Sequence, residues 1–205
     1  EAGNLIVNDG KTTVSGKLKQ NSVTVANNAV LEAVLDKFVV SSNTINNGVL
    51  NLFGNGAINK DITGNGSLNL DGMVVNNAVL IQKDLALASG KFTNSGTISV
   101  VDSMNVNGDM TNNGSVSAKD LIVSGNFANK ANAEIKGVLT LKENTAATAE
   151  NNGIITGGVI VENNRVLTNN NLISGKVNVG NNGKILGNSG VMNITETSEN
   201  NGEIN

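Results

Sequence analysis

Residues 92–118 read FTNSGTISVVDSMNVNGDMTNNGSVSA, and almost the same phrase occurs in them twice. Asn94-Ser95-Gly96-Thr97-Ile98-Ser99-Val100 returns 18 residues later as Asn112-Asn113-Gly114-Ser115-Val116-Ser117-Ala118. Each copy is a polar corner followed by alternating apolar positions. Asn and Gly tolerate positive φ and suit tight corners. Alternation marks a strand with one buried face.

The corner phrase, Asn-Asn-Gly or a close variant, starts at Asn27, Asn46, Gly64, Asn76, Asn94, Asn112, Asn151, Asn169, Asn181 and Asn200, with a weaker copy near Ala131. Successive gaps cluster at 18 to 20 residues, with some of 12. Self-similarity at this period is the mark of a solenoid. Eighteen is three sixes and twelve is two, so the spacing predicts a coil of three short sides. In the 12-residue gaps the phrase falls on a different corner of the same coil.

Within a period Ile98, Val100, Met104, Val106 and Met110 share one phase. Val116, Ala118, Leu121, Val123 and Phe127 share the next, and Leu85, Leu87 and Phe92 the one before. These positions predict an interior in which Phe92, Met110 and Phe127 stack in one column. Gly90, Gly108 and Gly125 fall at the bend between the second and third sides. Asn94 and Asn112 stack at another position, where amides bond along the axis as in Asn ladders. The fold class is therefore all-β: a single-stranded β-helix over residues 1–205. About eleven coils at ~4.8 Å make a rod on the order of 50 Å long. The absence of Pro fits, because central strands need every N–H.

Two stretches break phase. Val30, Val34 and Phe38 stand at helical spacing, which allows a short helix. The 19-residue gap around them also accommodates an ordinary coil. Residues 142–150 lengthen their coil and read as a surface loop.

Composition narrows the function. The chain has 205 residues, 39% of them hydrophobic but only 2% aromatic, and it has no Trp, Tyr, His, Pro or Cys. Asn (39 residues) and Gly (24) dominate. Net charge is −3 with scattered Lys and Arg, so neither a basic stripe nor a stacking platform for nucleic acid is present. No apolar run approaches the ~18 residues of a membrane span, and no aromatic-girdled barrel strand is read. No leader-like segment is read at Glu1, which fits a mature N-terminus or a fragment boundary. Absence of Cys excludes disulfides and thiolate metal sites.

Without His, Cys or Tyr the imidazole- and thiol-based mechanisms are closed. Two carboxylates remain, as in glycoside hydrolysis. Asp84, Asp102 and Asp120 stand 18 residues apart and are expected to stack in one column. Such a column could hold Ca²⁺. The favoured reading is three exposed turn residues, softened by Lys83 and Lys119. Gly54-Asn55-Gly56 and Gly64-Asn65-Gly66 are not followed by Gly-Lys-Ser/Thr and read as corners rather than phosphate loops. Asn193-Ile194-Thr195 matches the glycosylation triplet, whereas Asn21-Ser22-Val23 and Asn43-Thr44-Ile45 do not. The reading assigns no catalytic, cofactor-binding or metal-ligating residue.

The stretches LALASGKFTNSGTISV (85–100), MNVNGDMTNNGSVSA (104–118) and LIVSGNFAN (121–129) resemble the passenger regions of bacterial type V secreted proteins, the autotransporters and filamentous-haemagglutinin-like adhesins. The resemblance implies a right-handed β-helix, a segment of a longer passenger, displayed on the bacterial cell surface or secreted. It implies a non-catalytic adhesin stalk or binding passenger, with no cofactor. Its partners would be a host-cell surface protein or glycan, or other bacterial cells. A self-assembling fibre or surface-layer unit, joined through β ends, is the alternative. A polysaccharide-degrading β-helix is the third reading.

Overall fold

The computed structural model describes residues 3–15, 20–187 and 189–205. Glu1, and with it the question of a mature N-terminus, lies outside the described residues. Every described strand pairs in parallel, in a single 23-stranded sheet that winds around itself. No helix occurs among the described residues.

The winding follows from where each strand finds its partner. Val23-Thr24-Val25 lies beside Thr44-Ile45-Asn46, one coil on. Thr97–Val100 lies beside 115–118 and 79–82. These strands form the first side. Gly10–Ser15 pairs with 29–34, 30–34 with 49–53, and 103–106 with 120–123, forming the second side. Lys91–Asn94 pairs with 109–112, and 110–112 with Phe127–Asn129, forming the third. The result is a parallel β-solenoid of about eleven three-sided coils.

Alternation along each side sends one set of side chains inward. All thirteen apolar residues assigned to the interior from residues 85–127 are at most 5% exposed. Phe92 sits beside Met110 and Met110 beside Phe127, as the spacing predicts. The column extends backwards through Val74, Gly56 and Phe38. A Cβ at Gly56 would lie 2.5 Å from the Phe38 ring, so the ring occupies the space that the glycine leaves.

The helical spacing at Val30, Val34 and Phe38 does not make a helix. Residues Ala29–Val40 form one long strand. Leu31, Ala33 and Leu35 point inward while Val34 is half exposed, which is period two. Neighbouring strands on both sides supply backbone partners, and a register shift between Val34 and Lys37 then returns Phe38 to the interior. Residues 142–148 form the expected surface excursion; Ala149 and Glu150 have already rejoined the third side.

The migrating corner phrase is resolved as expected. Asn46 and Gly64 stand between the first and second sides. Asn76, Asn94 and Asn112 end the third side. Asn181 stands between the second and third. The 12-residue gaps are the two places where the phrase changes corner.

Candidate functional site

The main polar feature of this rod lies inside it. Asn76, Asn94, Asn112, Asn129, Asn151 and Asn169 are at most 1% exposed and occupy successive coils at the end of the third side. Each Nδ2 donates to the next Oδ1, at 2.9, 2.9, 2.9, 2.8 and 2.8 Å. The second Nδ2 proton reaches a main-chain carbonyl further along, such as Ser115 O from Asn94 and Glu134 O from Asn112 at 3.2 Å. Several Oδ1 atoms also accept the N–H two residues on, Ala78, Gly96 and Gly114 among them. The carboxamides are thus paired along the axis and around the corner, as buried amides require.

The sequence pointed to Asn94 and Asn112. It missed Asn129, because two extra residues before Ala133 blur the corner phrase there. A shorter polar pair sits at a different corner. Asn46 Nδ2 reaches Gln82 Oε1 at 2.6 Å across the intervening coil, where Gly64 has no side chain to obstruct it. Gly64 adopts φ 137°, which favours glycine.

The three aspartates do not form a column. Asp84 lies opposite Ser103, and Ser103 opposite Asp120, because the second side begins after a register irregularity between Val100 and Ser103. Asp102 falls one position earlier, at the corner, 3.9 Å from Lys83 Nζ. A serine therefore separates Asp84 from Asp120, and the equal sequence spacing is undone by one residue of bulge. Among the described residues no three His, Cys, Asp or Glu side chains converge as a metal site. Gly54-Asn55-Gly56 lies in the bend within Val49–Ile58, and Gly64-Asn65-Gly66 forms a corner. A Cβ at Gly66 would lie 2.3 Å from Gly48 O, so these glycines serve close coil stacking. Asn193 lies exposed on the strand Val191–Ile194.

The sequence reading did not single out Arg165. It is fully buried. Its Nη2 donates to Gly125 O at 2.6 Å and Thr148 O at 3.5 Å, and its Nη1 to Asn144 O at 3.3 Å. Its Nε has no partner. Burial pulls the guanidinium below its ordinary value, and nearby Asp109 opposes that shift. The side chain spans from its own coil, through the 142–148 loop, to the coil before that. The signal was available: Arg165, Leu167 and Asn169 share one phase, and that phase is inward.

The loop held by Arg165 is fixed at its other edge as well. Lys142 Nζ lies 2.7 Å from Glu162 Oε1, and Glu162 Oε2 accepts the Glu143 N–H at 3.1 Å. Asn126 Oδ1 accepts the Thr148 N–H at 2.9 Å.

An apolar cavity of about 210 Å³ occurs in the first coils, lined by Val23, Leu31, Ala33, Phe38, Leu50 and Leu52 among others. The exposed Lys37, Val39 and Ser41 line it as well, so it is a cleft that opens from the interior to the surface. On the outside, the first side carries Ile6, Thr24, Ile45, Thr63, Ile81, Ser99 and Ser117 in one uncharged column. Ile6, Ile45 and Ile81 are 59%, 49% and 43% exposed.

No helix among the described residues is long and apolar enough to cross a membrane. No protein-family model, curated protein or solved structure matches the chain. The geometry therefore defines a class of architecture, the parallel β-solenoid with an internal asparagine ladder.

Proposed function

We propose that this chain is a non-catalytic bacterial cell-surface rod, a passenger segment of the type V secreted kind, acting as an adhesin stalk or binding passenger. The observation that carries the reading is the continuous stack itself. About eleven coils share one interior, and six successive ones share the ladder, which suits a stiff spacer with flat polar faces. Fold alone does not decide function; the passenger-like repeats of residues 85–129 supply the class. The partners this reading implies are a host-cell protein or glycan, or a neighbouring cell.

The test begins with intact source cells treated with trypsin. Release of the peptide 92–119 without lysis places the coils outside the cell. Cells lacking the coils are then compared with the parent for settling and for binding to host cells and glycan arrays. Unchanged binding in every assay, or protection of the peptide until lysis, overturns the proposal.

The uncharged Ile/Thr column favours a second reading, a self-assembling structural unit. Apolar surface that repeats coil after coil is suited to contact with another copy. Sedimentation of the purified chain across a concentration series separates the two. A monomer throughout removes the second reading.

A further inference from the structure

The sequence contains eight Asn-Gly bonds, ending at Gly48, Gly56, Gly66, Gly108, Gly114, Gly153, Gly183 and Gly202. Asn-Gly is the sequence most prone to spontaneous loss of ammonia, since glycine puts no side chain in the way of ring closure. The glycine nitrogen loses its proton and attacks the Asn Cγ. A C–N bond forms, ammonia leaves and a five-membered imide results. Water then opens either imide carbonyl, giving aspartate or isoaspartate. Both partners must be free to react: the carboxamide must turn and the glycine N–H must be released.

Seven of the eight are held. The N–H groups of Gly66 and Gly183 donate to Asn46 O and Gly180 O, each at 2.9 Å. Those of Gly114 and Gly202 donate to Asn112 Oδ1 and Asn200 Oδ1, at 3.3 and 3.1 Å. The carboxamide oxygens of Asn47, Asn55 and Asn152 accept bonds of 3.1, 2.8 and 2.9 Å from the next coil. Asn107 is different. Its side chain is exposed, and among the described residues neither its carboxamide nor the Gly108 N–H has a partner.

From this we infer that Asn107 is a site of selective, self-catalysed modification, converting to aspartate and isoaspartate while the other Asn-Gly corners of the folded rod are protected. Each conversion adds one negative charge. The isoaspartyl product also lengthens the main chain by one methylene at a place without slack. A Cβ at Gly108 would lie 2.1 Å from Gly90 O. The aspartyl product leaves the coil intact, and the isoaspartyl product disturbs the bend that leads to Met110. The corner is thereby a built-in point of ageing.

The test follows the folded chain in neutral buffer at physiological temperature over weeks, with a parallel sample in urea. The tryptic peptide 92–119 carries both Asn107 and Asn113, so fragment ions compare a free and a held corner within one molecule. In the folded chain Asn107 is expected to convert at least about fivefold faster than Asn113, the factor that one hydrogen bond to be broken implies. In urea the two rates converge. Equal or faster conversion at Asn113 or another Asn-Gly corner of the folded chain overturns the inference. So does a folded chain in which Asn107 stays intact while the urea sample converts it.

Discussion

Asn112 donates its Nδ2 to Asn129 Oδ1 at 2.9 Å across a coil of only 17 residues, while Asn129 donates to Asn151 at 2.8 Å across one of 22. The ladder spacing is therefore independent of coil length. Extra residues are expelled as the Ala131 corner and the 142–148 loop, and the amide column stays continuous. The ladder and the Phe92–Met110–Phe127 column together fix where the third side must lie.

Replacement of a central rung should cost more than replacement of the first. Asn112→Leu leaves Asn129 Oδ1 without its ladder donor and frees the Gly114 N–H and the Glu134 carbonyl. An orphaned buried group costs about 1–3 kcal/mol, and of these three only Asn129 is fully buried while Gly114 and Glu134 can reach water in part, so a loss of roughly 2–5 kcal/mol is expected. Asn76→Ile is milder. It frees the Ala78 N–H and carbonyl, but Ile58 already occupies the same column one coil earlier and Asn94 Oδ1 keeps its bond from the Gly96 N–H, so no carboxamide is orphaned. Urea denaturation of both variants checks this. Equal losses would show that the ladder is not the stabilising unit.

The interior column and the outward corner should respond oppositely. Phe127→Asp places an unpaired charge between Met110 and Ala149, where the parent ring is 2% exposed. It should abolish the cooperative transition or lower its midpoint sharply. Asn113→Ser, on an exposed corner, should shift stability by no more than about 0.5 kcal/mol. A Phe127→Asp chain that melts like the parent would falsify the assignment of inside and outside.

Much of this was legible because the governing signals are local. Ile98 and Val100, or Leu121 and Val123, declare their face by alternation alone. The stacking of Phe92, Met110 and Phe127 follows from counting residues. Counting fails where the backbone bulges. One irregular residue after Val100 moves Asp102 out of line with Asp84 and Asp120 and replaces it with Ser103. Arg165 escaped for a different reason. Alternation with Leu167 and Asn169 marks its inward phase, but a buried cation also needs carbonyl partners drawn from Gly125, Asn144 and Thr148, and no local pattern announces that those atoms converge. The helical spacing of Val30 and Phe38 was overridden by parallel partners on both sides of their strand.

Arg165→Met tests the loop clasp. The substitution removes a buried charge and keeps a chain of similar length, so the interior loses little packing. It removes the donors to Gly125, Asn144 and Thr148. Hydrogen exchange should rise across residues 142–148 while the Asn94 and Asn112 coils stay protected. Global stability should fall by about 1–3 kcal/mol, the cost of freeing those acceptors. Unchanged exchange in the loop would mean that its own bonds, such as Asn144 Nδ2 to Ser124 O at 2.9 Å, suffice.

The other edge of that loop should respond to acid. Partial burial raises the Glu162 carboxyl, but the Lys142 ammonium and the Glu143 N–H outweigh it and hold the group below its ordinary value of 4.5. A carboxylate depressed in the folded chain stabilises it above the unfolded value, and that contribution is lost as pH falls through the folded one. Loop protection, expressed relative to intrinsic exchange rates, should thus be constant near neutrality. It should decline at the Glu143 amide once pH drops below the ordinary glutamate range. Glu162→Gln keeps an acceptor for that amide but forfeits the charge. Its loop should be looser near neutrality and indifferent to acid over the same interval. A parent loop whose protection ignores acidification would assign the loop's hold to Arg165, Asn126 and Asn144, and a Glu162→Gln loop that still loosens with acid would place the titrating group on another carboxylate.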